Sequence, residues 1–136
     1  MKRTILFFIT ILAFAFGNAQ TIQSNNYSTT GYIKSDGTIL DKNNATAGYI
    51  KNDGTIQNSS HTTIGYIKDD GTIQNSNHSV VGYIKDDGTV QKSNYSVIGY
   101  IKSDGTVQDR NHSTIGYAKG VKKEWAAVAF FFFSGK

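Results

Sequence analysis

The chain has 136 residues, with 14 lysines and arginines against 10 aspartates and glutamates, and no cysteine. That length suits one small domain, and the missing cysteine excludes a disulfide framework, a lipidated cysteine and thiolate metal sites. The charges alternate in sign along the chain instead of forming a basic block, so no nucleic-acid partner is expected.

Lys2 and Arg3 precede the apolar run 4–16, and Gly17 and Ala19 stand at the −3 and −1 positions of a cut before Gln20. These are the parts of a secretory signal peptide. Residues 1–19 are therefore expected to be removed on export, leaving a protein that is secreted, periplasmic or at the cell surface. The apolar run falls short of the roughly 20 residues that a membrane-spanning helix needs.

From Thr21 onward the sequence repeats. Glycines 31, 48, 65, 82, 99 and 116 recur every 17 residues, and a tyrosine follows each one. A period this regular is read before any local propensity. It frames modules 21–37, 38–54, 55–71, 72–88, 89–105 and 106–122, which with the apolar tail 123–136 make a single domain over 20–136. Within a module, Thr72-Ile73-Gln74 reads as a short strand and Asn75-Ser76-Asn77-His78 as a polar turn. Ser79–Lys85, rich in β-branched and aromatic residues, reads as a longer strand. Asp-Gly then closes the module at 36–37, 53–54, 70–71, 87–88 and 104–105, because glycine accepts the positive φ of a tight hairpin turn.

The spacing predicts an all-β, closed or nearly closed rosette of short antiparallel β-hairpins. Ile22, Ile39, Ile56, Ile73, Val90 and Val107 form one apolar ring, and Ile33, Ile50, Ile67, Ile84, Ile101 and Ala118 a second. A third ring, at 30, 47, 64, 81, 98 and 115, begins weakly with Thr30 and Ala47. One module cannot build a core from three such residues, whereas six arranged round an axis can. Closure is favoured because no polar cap precedes Thr21, and because closing the ring removes exposed strand edges. The glycine before each tyrosine marks a place where backbone or aromatic groups approach closely.

The words "TIGYIKDDGTIQ" at 63–74 and "STIGYAKGVKKEWAAVAFFFF" at 113–133 resemble the small secreted β-flower proteins, the five-fold β-flower family being the nearest match. The resemblance spans the whole mature chain. It implies a symmetric rosette of β-hairpins with no established enzymatic activity. One departure is plain: six modules are present here against a five-fold name.

The best binding candidates are Tyr32, Tyr49, Tyr66, Tyr83, Tyr100 and Tyr117, with Lys34, Lys51, Lys68, Lys85, Lys102 and Lys119 two residues on. Period two puts each tyrosine and its lysine on one strand face. Exposed aromatic rings beside polar groups suit stacking on sugar rings, and the hairpins resemble the repeats of cell-wall-binding modules. The competing reading is structural, with lysine stems covering the tyrosine rings. His61, His78 and His112 share the seventh module position with Tyr27, Asn44 and Tyr95. A metal site there is not expected, since ligands must converge within about 2.1 Å of one ion. Asp36, Asp53, Asp70, Asp87 and Asp104 are explained by turn chemistry rather than calcium or acid catalysis.

Asn-x-Ser/Thr at 26, 44, 58, 77, 94 and 111 follows from copying a polar turn. The tail Trp125–Phe133 is the most apolar mature segment and is expected to be an extra strand or a plug closing the rosette. The competing expectation is a contact with a membrane or a partner protein. No catalytic residue and no cofactor are expected, because residues copied six times do not make the asymmetric set that acid, base and nucleophile require. The function expected is a secreted, non-enzymatic β-repeat scaffold or interaction protein. The alternative is a cell-envelope or carbohydrate-binding module using the Tyr/Lys ring.

Overall fold

The computed structural model describes residues 19–133. The expected signal lies, apart from Ala19, outside the described residues.

Among the described residues twelve strands follow one another: β1 (Ala19–Ser24), β2 (Thr29–Lys34), β3 (Thr38–Asp41), β4 (Thr46–Ile50), β5 (Thr55–Asn58), β6 (Thr63–Ile67), β7 (Thr72–Asn75), β8 (Val80–Ile84), β9 (Thr89–Lys92), β10 (Val97–Ile101), β11 (Thr106–Asp109) and β12 (Thr114–Tyr117). Each pairs antiparallel with its sequence neighbour, and β1 pairs with β12, so the sheet is a closed barrel. The expected all-β rosette of hairpins is the fold. The closing pair also fixes its symmetry. Gln23 faces Tyr117 and Ser24 faces Gly116, the register in which Gln108 faces Tyr100 and Asp109 faces Gly99 across an Asp-Gly hairpin. β12 and β1 therefore meet as though another Asp-Gly turn joined them, and the ring is built of six units.

Two turns alternate round the barrel. In the first, the Gly37 N–H donates to the Lys34 carbonyl at 2.9 Å and Gly37 takes φ 91°. This is a type I turn with a glycine bulge, which matches the strand twist. The carboxylate of Asp36 accepts the Thr38 N–H at 3.0 Å, and Asp53, Asp70, Asp87 and Asp104 do the same for Thr55, Thr72, Thr89 and Thr106. These hydrogen bonds from threonine hold all five carboxyl groups below the usual aspartate value. A carboxylate depressed in the folded state stabilises above its unfolded pKa, and that contribution is lost as pH falls through the folded value. Melting temperature should therefore hold steady down to about pH 4 and fall below it. Changing the five aspartates to asparagine should flatten that acid limb, and an unchanged limb would refute their role.

In the second turn the seventh module residue takes the left-handed conformation: Tyr27, Asn44, His61, His78, Tyr95 and His112 have φ between 67° and 72°. Asn and His are the ordinary non-glycine occupants of that region. A bulge follows in every module, placing Thr29 opposite Gln23 and Gly31 opposite Ile22. Plain alternation would turn the residue between, number 30 and its equivalents, outward with the tyrosines. The bulge instead lets Ile64, Val81, Ile98 and Ile115 pack against the core.

Ile22, Ile56, Ile73, Val90 and Val107, with Ile33, Ile50, Ile84, Ile101 and Ala118, are buried inside the barrel, so the two predicted rings are the core. Ile39 and Ile67 are half-buried members of the same cluster. Each buried aliphatic contributes about 1.5–3 kcal/mol.

The tail enters the lumen and packs against the core. Helix α1 (Lys123–Ala127) continues into a wider π turn (Val128–Phe132), in which the Phe133 N–H donates to the Val128 carbonyl at 3.0 Å. Ala126, Ala127 and Val128 are buried at 0–1% exposure. Of the two forms expected for this segment, it is the plug. An extra strand has no edge to join, because β1 and β12 pair with each other.

Candidate functional site: the aromatic belt

The glycine of each long strand and the isoleucine two residues on (Ala118 in the sixth unit) face the lumen, which turns the intervening tyrosine outward. Across the strands Tyr49, Tyr66, Tyr83, Tyr100 and Tyr117 each oppose a glutamine, namely Gln57, Gln74, Gln91, Gln108 and Gln23. Tyr32 opposes Leu40 instead.

Each of the same five tyrosines also carries a second ring laid flat upon it. His61 stacks on Tyr49, His78 on Tyr66 and His112 on Tyr100, with centroids 4.3–4.4 Å apart. Tyr95 stacks on Tyr83 at 4.8 Å and Tyr27 on Tyr117 at 4.5 Å. The left-handed turn residue of one unit thus lies over the wall tyrosine of its neighbour. Such a stack contributes about 0.5–1.5 kcal/mol beyond area burial, which offsets part of the cost of the backbone conformation. In the histidine pairs Nδ1 also lies 3.3–3.4 Å from the Gln57, Gln74 or Gln108 side-chain oxygen. In the tyrosine pairs the hydroxyls meet at 3.3 Å and 3.1 Å, and those hydrogen bonds raise the pKa of Tyr83 and Tyr117. Tyr32 has Asn44 at the matching turn position and carries no stacked ring among the described residues.

The two members of the predicted Tyr/Lys ring differ in exposure. The tyrosines lie half-buried along the wall, while the six lysines are exposed beside the Asp-Gly turns. A lysine stands over a wall tyrosine at Lys119, whose Nζ is 6.0 Å from the Tyr117 centroid. What covers the tyrosines is chiefly the turn residue of the next unit, a pairing that sequence reasoning missed. Its signal was present: each stacked pair is 12 residues apart in the same module phase, except across the closing seam. The outermost aromatic surfaces are Tyr27 and Tyr95, at 61% and 63% exposure. Among the described residues no three of His, Cys, Asp or Glu gather where they could hold a metal ion.

An up-and-down barrel of copied hairpins, plugged by its own tail and carrying repeated polar and aromatic side chains outside, is a β-repeat rosette. More narrowly, the chain belongs to the family described as 5-fold beta-flower protein, which matches it over residues 19–134. No significant match is found among the curated proteins or the solved structures. Against the family's five-fold description, this member closes with six units.

Proposed function

We propose that this protein is an exported, non-enzymatic scaffold that engages its partner through the aromatic belt. The observation that carries this reading is the repetition outside the barrel of a stacked ring pair beside a glutamine, five times over. One such platform offers a weak contact. Several on a rigid ring bind a repetitive partner with an avidity that can exceed single-site affinity by about 10²–10⁴. Export is supported by the signal-like residues 1–19. The strands, four to six residues long, are shorter than the roughly 9–11 residues of a bilayer-crossing strand.

The second reading gives the partner a chemistry: a glycan of the cell envelope. Tyr27 and Tyr95 favour it, being exposed rings held rigid from behind, the form that sugar-stacking aromatics take. Glycan-array and cell-wall pull-down assays decide between the two. Saturable binding that drops at least about tenfold in Tyr27→Ala/Tyr95→Ala is expected for the glycan reading. Full retention in that variant and in Tyr66→Ala removes the belt as the binding surface.

A further inference from the structure

Six equivalent glycines line the barrel, and four of them each receive a phenylalanine ring from the plug. Phe130 lies on Gly116, Phe131 on Gly99, Phe132 on Gly82 and Phe133 on Gly65. A Cβ added at Gly65 would stand 2.5 Å from Phe133 Cζ, and one at Gly116 would stand 2.6 Å from Phe130 Cε1. An α-helix advances about 100° per residue, more than the step between units in a ring of six. The wider π turn brings the two steps closer, so successive phenylalanines reach successive units. At Gly31 and Gly48 the nearest atoms are backbone atoms of the opposite strand. Ser134, Gly135 and Lys136 carry no aromatic ring.

Beside these two glycines the described residues leave a cavity of about 520 Å³, walled by Ile39, Ile56, Ile64, Val128, Ala129 and Phe133 among others. Ligand sites span about 300–1,000 Å³, and far smaller apolar cavities take up benzene. The sequence departs from its repeat in this same sector. Thr30 and Ala47 stand where the later units have Ile64, Val81, Ile98 and Ile115, and both are exposed at the mouth. Two polar side chains there are already engaged. The Thr30 hydroxyl donates to the Ile22 carbonyl at 3.2 Å, and the Asp41 carboxylate accepts the Asn43 and Ala45 N–H groups at 2.8 Å and 3.0 Å. That carboxylate disfavours an anion.

We propose that the cavity at Gly31 and Gly48 is a binding site for a neutral aromatic compound of one or two fused rings, seated where the other units seat phenylalanine. It is separate from the outer belt and stands whether or not the belt binds a partner. The test is titration of the full mature chain with indole, read on the methyl resonances of Ile39, Ile56 and Ile64. Saturable one-to-one shifts are expected, with Kd at or below about 1 mM, and with benzoate at least several-fold weaker. Thr30→Ile/Ala47→Ile, which restores the repeat consensus, should keep the melting temperature or raise it and lower indole affinity at least about tenfold. The proposal fails if the wild-type chain shows no saturable shift, or if the filled variant binds equally well. It also fails if binding appears only after residues 134–136 are removed, which would assign the cavity to the chain's own tail.

Discussion

A chain ended at Lys122 should not form the barrel, and Ala127→Asp should come close to the same result. The plug is the centre of the core. Ala126, Ala127 and Val128 are closed off from solvent by rings of isoleucine and valine contributed by all six units. Without the plug those rings face an open lumen, and the favourable burial of each aliphatic is largely lost. With aspartate at 127, a charge without a partner enters that lumen at a cost of several kcal/mol. Domains of this size have about 5–15 kcal/mol in total. The expected readings are loss of cooperative melting for the truncated chain, and a drop in melting temperature of at least about 15 °C for Ala127→Asp. Unchanged melting of either variant would mean that the hairpin ring is stable by itself.

The second large effect is expected at the glycines before the tyrosines. Gly82→Ala places a methyl group against both the Gln91 carbonyl and the Phe132 ring. Overpacking of this kind costs about 1–3 kcal/mol and occasionally more, so about 3–4 kcal/mol is expected from the two contacts together. Gly48→Ala meets the Gln57 carbonyl at 2.6 Å with no ring beside it, and about 1–3 kcal/mol is expected. Chemical denaturation of the two variants should rank them in that order. Gly82→Ala proving as mild as a surface change would contradict the packing described.

Much of this fold was legible in the sequence because the repeat states it six times. The position of Ile73 in every unit gave one core ring, that of Ile84 gave the second, and Asp-Gly gave the turns. Features that depend on how units meet could not be read from one unit alone. His78 covering Tyr66 needs the register between neighbouring units, which a single unit does not contain. Phe130 through Phe133 meeting Gly116 through Gly65 needs the tail to pass along the barrel axis, and no local pattern specifies that. The tail's form, strand or plug, turned on whether a free edge existed, and the β1–β12 pairing decided it. Thr30 and Ala47 stood out as weak core positions, but only the structure showed a cavity mouth there. Of the predicted binding residues, the tyrosines sit half-buried in a common belt and the lysines are exposed, with Lys119 reaching over the Tyr117 ring.

The match between plug rings and lumen glycines is tested most directly by a double-mutant cycle. Gly82→Ala, Phe132→Ala and their combination are compared by denaturant unfolding, with Gly48→Ala and Phe132→Ala as the control pair. Removing the Phe132 ring relieves one of the two contacts that the new methyl makes at Gly82. Coupling of about 1–2 kcal/mol is therefore predicted for the first pair, and additivity within about 0.5 kcal/mol for the control. Additive costs at Gly82 and Phe132 would contradict the account, because the ring would then not occupy the space that the glycine leaves.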